Sequence, residues 1–316
     1  MTLIRFLQVF AELEKYKSLD FFAKQIVEGF ITGLHKSPFH GFSVEFAEHR
    51  LYNTGESTRN IDWKLYGRTD KLFVKRFEEE TNLRCQVLID QSTSMYFPTE
   101  KHGDFNNPNK LTFSVYAAAL LMELLVRQRD AFGLTLFSNG IDLQTEVRSS
   151  TSHQRYVYSI MEQMLRPVKT DSLQQRGTSI ADTIHLLAEK MHRRSLVVIF
   201  TDALVGDNEQ EPLFDALRHL RHCKHEVLFF HTFDRDKELD LNFGNKPYWF
   251  IDLETGKRIK AFPNEIAAKY SATMQRQTEQ VRRHAMQYHI DYIPVDINLG
   301  FDQVMQPYIL KRSKHY

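Results

Sequence analysis

The chain has 316 residues, of which 42% are hydrophobic, 12% aromatic and 26% charged. At roughly 150 residues per domain this length suits one large domain or about two ordinary ones, and the hydrophobic content excludes a wholly disordered chain. Lys and Arg number 41 against 40 Asp and Glu, so the net charge of +1 provides no global field toward nucleic acid. The two cysteines, Cys85 and Cys223, exclude a disulfide framework and favour a reducing cytoplasm.

The amino-terminal quarter predicts one or two helices followed by a small α+β segment. Residues 7–34 carry apolar side chains at helical spacing, and residues 42–52 and 71–77 alternate like half-buried strands. The start lacks the features of a secretory signal, and no apolar stretch reaches the roughly 18 to 20 residues of a membrane span. A change of pattern predicts an amino-terminal module at residues 1–81 and a larger domain at residues 82–316.

In the larger domain, short apolar runs alternate with segments of helical period. Runs that are apolar on both faces are typical of central strands in a parallel sheet covered by helices. The sequence therefore predicts a doubly wound α/β domain with a mostly parallel sheet and a β-hairpin insertion near residues 247–262. The predicted strands are 84–89, 133–137, 196–201, 227–233 and 291–295, and the predicted helices are 110–129, 152–165, 179–192, 210–223 and 264–289.

Side chains with oxygen donors follow two of the predicted strands. Asp90, Ser92 and Ser94 come after the first strand of this domain, and Asp202 comes after the third. Thr178 opens the helix that precedes the third strand. Because ligands of doubly wound sheets bind beyond the carboxyl ends of the strands, these side chains are expected to converge. Oxygen donors with two carboxylates suit Mg²⁺ or Mn²⁺, held octahedrally.

These five positions resemble the metal-ion-dependent adhesion site (MIDAS) of von Willebrand factor type A (vWA) domains. The resemblance implies that Ser92 and Ser94 ligate the metal directly and Thr178 directly or through water. Asp90 and Asp202 would bind directly or support the bound ligands from behind. A partner's Glu or Asp would complete the coordination. The alternative interpretation of the same residues is ordinary turns and helix caps.

Upstream of these residues, the chain resembles the bacterial domain-of-unknown-function-58 family. The likeness includes charged and aromatic residues whose ligand the sequence does not reveal, among them Arg50, Arg59, Asp62, Trp63 and Arg68. The resemblance implies a soluble adaptor that works with a MoxR-type AAA+ ATPase in complex assembly or metal insertion. The matching positions are 48–52, 55–56, 59–64, 67–68 and 72–78, with mild departures at Glu56 and Gly67.

Taken together, these patterns favour a non-enzymatic interaction protein. A metal-dependent hydrolase using the same cation is the alternative, although the sequence offers no convincing general base. An aspartyl-phosphate phosphatase would need a second Asp where Ser92 stands. Motifs for nucleotide hydrolysis, acyl transfer and dinucleotide binding are absent from the sequence.

Two further groups of residues are open to a functional or an unremarkable interpretation. The basic and aromatic residues between positions 50 and 77 could bind an anion, but interleaved acidic residues favour internal ion pairs and an interface. A second group could hold zinc, although its spacing is not that of a zinc finger, and solvated histidines at a helix end are favoured. This group consists of His219, His222, Cys223, His225 and His231.

Overall fold

The computed structural model describes residues 18–34, 49–51, 63–75, 83–166, 180–202, 210–253 and 256–313. The chain divides into two units, residues 32–82 and the remainder. Helix α1 (Leu19–Leu34) groups with the larger unit as far as Ile31. The boundary predicted at residue 81 assigns this helix to the amino-terminal module instead.

The described part of the smaller unit contains two short strands and one helix. These are β1 (His49–Leu51), α2 (Trp63–Thr69) and β2 (Phe73–Lys75). β1 pairs antiparallel with β2, with Arg50 opposite Val74. Both strands lie in the segments whose alternating pattern predicts strands. Arg68 is exposed on α2, whereas Arg59 and Asp62 lie outside the described residues.

The larger unit alternates strands and helices along the chain. Its five predicted strands and five predicted helices all occur, and their ends differ from the predictions by two residues or fewer. After α1 its elements are β3 (Arg84–Asp90), α3 (Lys110–Arg127), β4 (Ala131–Phe137), β5 (Ile141–Gln144), α4 (Thr151–Met164), α5 (Ile180–Lys190), β6 (Leu196–Thr201), α6 (Gln210–His222), β7 (Glu226–Phe233), β8 (Tyr248–Ile251), β9 (Arg258–Ala261), α7 (Pro263–Gln287), β10 (Asp291–Asp296) and α8 (Asp302–Ser313).

Among the described residues, six strands form one sheet in the order β10-β7-β6-β3-β4-β5. Neighbouring strands run parallel, except that β5 pairs antiparallel with β4 at the edge of the sheet. All six residues of β6 are buried, which explains why this strand is apolar on both faces. The mostly parallel sheet confirms the predicted fold class.

Helices cover both faces of this sheet. On one face, α5 and α6 pack onto a buried apolar cluster that includes Leu88, Val197 and Phe229. The other layer contains α3, which contacts β3, β4, α4 and α8. The buried Tyr308 anchors α8 there, and its hydroxyl donates to Gln128 Oε1 at 2.8 Å. The sequence of the basic segment 308–316 predicts a helix end or a frayed tail, and residues 308–313 form the last part of α8.

Helix α1 packs through the apolar face that its sequence predicts. Phe22 lies with its ring centroid 4.7 Å from that of Phe105 and 4.9 Å from that of Tyr116. The backbone N–H of Leu19 donates to Glu162 Oε1 at 2.8 Å, which joins the start of α1 to α4. These contacts explain why the helix belongs with the sheet unit.

β8 and β9 form a separate antiparallel pair within the range where the sequence predicts a hairpin, with Tyr248 opposite Ala261. Within the ranges given above, no helix has both the length and the apolar character to cross a membrane. Cys85 is buried and Cys223 half-buried, and both are free thiols.

Candidate metal centre

The carboxylate of Asp90 is fixed where the ends of two parallel strands meet. Asp90 is the last residue of β3 and is fully buried. Its Oδ1 accepts a hydrogen bond from the backbone N–H of Ser92 at 2.8 Å, and its Oδ2 accepts from Thr201 Oγ1 at 2.7 Å. Because Thr201 ends the neighbouring strand β6, the sheet itself orients this carboxylate.

Two serine hydroxyls lie next to this carboxylate. Ser92 is buried, and Ser94 lies in a short 3₁₀ turn, Thr93–Tyr96, that directly follows. Their Oγ atoms are 3.0 Å apart. Adjacent ligands of an octahedral Mg²⁺ with bonds of about 2.0–2.1 Å are separated by about 3 Å, so this spacing also suits two metal ligands.

Asp202 lies immediately after β6, buried on the same edge of the sheet. Ser94 hydrogen-bonds its carboxylate. The structure thus brings together Asp90, Ser92, Ser94 and Asp202, four of the five positions with which the sequence predicts a metal site. The fifth, Thr178, lies outside the described residues.

A buried lysine, Lys110, also lies at this site, although no sequence motif points to it. Lys110 is the first residue of α3 and is 0% exposed. Its Nζ donates to Asp202 Oδ2 at 2.9 Å and to Glu238 Oε1 at 2.5 Å. One signal was available, because lysine is disfavoured in the first turn of a helix by the dipole, and α3 is otherwise largely apolar.

Glu238 reaches the site from the one-turn π-helix Arg235–Leu239 that follows β7. Its Oε2 accepts a hydrogen bond from the backbone N–H of Asp234 at 2.8 Å. Asp234 in turn caps this turn, since its Oδ1 accepts from the backbone N–H of Lys237 at 3.2 Å and from Asn298 Nδ2 at 2.9 Å. Glu238 is therefore held in place from behind.

Burial and neighbouring charges set the protonation of these groups. Burial and the nearby Asp202 raise the pKa of Asp90 to about 7. Burial opposes ionisation of Asp202 too, but the Lys110 ammonium outweighs it and lowers the pKa of Asp202. Burial favours a neutral amine at Lys110, but Asp202 and Glu238 outweigh it and raise its pKa. Lys110 and Asp202 therefore form a charged pair.

The donor set fits a small hard cation. It consists of two carboxylates and two hydroxyls, which are the oxygen ligands that Mg²⁺ and Mn²⁺ prefer. Over the part of the chain that the structure describes, no three His, Cys, Asp or Glu side chains are grouped as metal ligands. A centre that relies on serine hydroxyls does not require such a group.

The histidines near the end of α6 differ from the solvated cluster that the sequence favours. His225 and His231 are buried, at 0% and 7% exposure. Burial lowers the pKa of His231 to about 4, and its Nδ1 lies 2.5 Å from the hydroxyl of Tyr292. His219 approaches His185, with 3.0 Å between their Nδ1 atoms. For His225 and His231 the solvated interpretation is wrong, because His231 lies on the buried strand β7 and His225 is buried directly before that strand.

Comparison with known proteins places the chain in a family. Residues 48–282, more than half of the chain, match the family described as "Protein of unknown function DUF58". The chain belongs to the DUF58 family. This membership confirms the resemblance that the upstream residues suggest.

Uncharacterized proteins of Mycobacterium tuberculosis and Mycobacterium bovis are similar to this DUF58 chain. Each is 27% identical over 226 residues, which covers 71% of the chain and 66% of the relative. The chain thus spans just under two thirds of these relatives.

Solved structures of low sequence identity also match. An aerotolerance-related membrane protein from Bacteroides fragilis shares 18% identity with a TM-score of 0.45, and the match covers 74% of this chain and all of that one. BatB, a conserved hypothetical protein from Bacteroides thetaiotaomicron, shares 17% identity with a TM-score of 0.42 over the same shares.

Proposed function

We propose that this DUF58 protein binds Mg²⁺ or Mn²⁺ through Asp90, Ser92, Ser94 and Asp202, with Thr178 added by the resemblance to MIDAS sites. One observation carries the proposal: the two serine hydroxyls lie 3.0 Å apart beside two buried carboxylates at the ends of adjacent strands. The bound cation would supply a positive centre and a coordination position that a carboxylate from outside can fill.

The proposed role of this centre is to capture an acidic residue of a partner protein. The likeness to vWA domains supports a protein ligand, and the family resemblance suggests a MoxR-type AAA+ ATPase or its client. The relatives that the chain matches are uncharacterized, so they name no partner. The partner therefore has to be identified by binding.

We propose binding rather than hydrolysis because the described residues beside the centre offer no base poised for a water. The imidazole of His231 is buried and engaged by the Tyr292 hydroxyl and by the backbone of Asp202. Glu238 faces Lys110 and the Asp234 backbone instead. These side chains stabilise the site, which suits recognition.

The test is isothermal titration of Mg²⁺ and Mn²⁺ into metal-stripped protein. Wild type is expected to bind one equivalent, and the Asp90→Ala, Ser92→Ala variant none. Asp215→Ala is the matched control, because Asp215 is an exposed carboxylate of α6 that pairs with Arg218. No binding by wild type, or equal binding by the double variant, would refute the metal site.

A second experiment addresses the partner. The MoxR-type ATPase of the same organism is incubated with immobilised wild type in Mg²⁺ or in chelator. Retention only with Mg²⁺, and only by wild type, supports capture at the metal. Retention that survives chelation, or no retention, contradicts it.

A further inference from the structure

We propose that the ammonium of Lys110 competes with a divalent ion for the carboxylate of Asp202. Lys110 thereby sets the affinity of the site for the metal. This inference rests on the proposed metal site and deepens it. Lys110 is thus a positioning residue that acts on the metal through Asp202.

The contacts of Lys110 show that this charge is built into the site. The side chain is fully buried and donates to Asp202 Oδ2 and Glu238 Oε1. Its backbone N–H donates to the carbonyl of Phe97 at 3.1 Å, in the loop that follows the two serines. Asn109 caps the helix, with its Oδ1 accepting from the Thr112 backbone at 2.8 Å. The start of α3 therefore holds the ammonium at the metal ligands.

The charges explain why a second cation can still enter. When a divalent ion binds and all three carboxyl groups are deprotonated, Asp90, Asp202 and Glu238 outnumber the single ammonium of Lys110 by two negative charges. One divalent ion neutralises this excess. Coulombic repulsion from Lys110 and its hold on Asp202 nevertheless weaken the binding of that ion.

Stability alone does not account for such an arrangement. Removing charges from water is costly, and buried ion pairs are often replaceable by apolar side chains without loss of stability. The pair is located where the sheet presents its metal ligands, rather than in the apolar core. This position gives the ammonium a direct effect on ligand availability.

The test replaces Lys110 by methionine, which keeps the length of the side chain and removes its charge. In chelator, Lys110→Met is expected to unfold at a lower temperature than wild type, because two buried carboxylates lose their cation. Mg²⁺ should raise the unfolding temperature of Lys110→Met back toward that of wild type. Titration should give this variant a Kd for Mg²⁺ roughly 10- to 100-fold lower than that of wild type. If methionine prevents folding, Lys110→Gln serves the same purpose with an amide donor.

Lys101→Met is the matched control. Lys101 Nζ lies 3.7 Å from Asp234 Oδ2. The substitution therefore removes one positive charge near the site without changing a contact to a proposed ligand. Its Kd for Mg²⁺ should stay within about threefold of wild type, because Lys101 pairs with Asp234 and not with a proposed metal ligand. Adding Asp90→Ala to Lys110→Met should abolish the recovery by Mg²⁺, which locates the ion at this site.

The outcomes separate the inference from the function on which it rests. If wild type binds Mg²⁺ but Lys110→Met neither binds it more tightly nor regains stability, the inference is overturned and the metal site stands. If Lys110→Met binds Mg²⁺ and wild type does not, the competition at Asp202 is supported, whereas the proposed metal function of the wild-type protein fails. If no variant binds a divalent ion, both proposals fail.

Discussion

The hydroxyl of Thr201 is the side-chain donor that joins β6 to the Asp90 carboxylate, and replacing it by valine tests the site without touching a proposed ligand. The Thr201 Oγ1 to Asp90 Oδ2 distance is 2.7 Å, and both residues are fully buried. A hydrogen bond to a charged group contributes about 1.5–3 kcal/mol. Valine restores the shape but not the donor, so Thr201→Val should lower the free energy of unfolding by about 2 kcal/mol in chelator.

The measurement is urea unfolding in chelator, followed by Mg²⁺ titration, where a weaker affinity is expected because Asp90 loses its fixed orientation. Thr232→Val is the control, since Thr232 is equally buried near the end of β7, while its hydroxyl donates to the Met95 sulfur, a weak acceptor, at 3.7 Å. A cost for Thr201→Val no larger than that for Thr232→Val would refute the reasoning.

Three further predictions concern stability, each measured by urea unfolding. Arg312→Met should cost about 3 kcal/mol, because the buried Asp130 loses the guanidinium that donates to its Oδ2 at 2.9 Å. Gly133→Ala should lower the free energy of unfolding by about 1–3 kcal/mol, because a Cβ there would lie 3.0 Å from the carbonyl oxygen of Glu146 and 2.6 Å from the buried Gln86 Oε1. Burial lowers the pKa of His225, so the unfolded chain takes up its proton first, and the contribution of His225 to stability should fall as pH drops below about 6.5, by at most about 1.4 kcal/mol per pH unit for this one group.

Each of these predictions has a contradicting result. The double variant Arg312→Met, Asp130→Asn should lose less unfolding free energy than the sum of the losses of the two single variants. A loss equal to that sum would argue against the ion pair. A Gly133→Ala protein as stable as wild type would show that the strand edge can shift. His225→Gln should make the free energy of unfolding depend less steeply on pH below about 6.5. An unchanged slope would show that other groups cause the loss of stability in acid.

The sequence predicts the central part of the fold well, because its strands have a distinctive composition. β6 is apolar except for its last residue, Thr201, and occurs over the predicted residues. β5 is not predicted, because it has four residues of alternating exposure at a sheet edge. The first part of α8, residues 302–307, is not predicted either, because Pro307 interrupts a segment with almost no amphipathic pattern. Packing against α3, rather than local preference, makes this last segment helical.

The candidate site is predictable only as far as its residues follow strand ends. Asp90, Ser92 and Asp202 could be placed because parallel strands bring their carboxyl ends to one edge. Lys110 and Glu238 could not be placed in this way, since their side chains enter from a helix start and from a turn. How far such side chains reach depends on packing that spacing does not encode.

The bonds that assemble the site have a consequence for how the protein acquires it. Asp90 and Thr201 are 111 positions apart, Lys110 and Asp202 are 92 apart, and Lys110 and Glu238 are 128 apart. Contacts of such separation require the closure of long loops, whose entropy cost has to be offset by the strands and helices that the loops connect. A nascent chain that ends before β7 lacks Glu238. The complete site can therefore form only after synthesis has passed this strand and the turn that follows it.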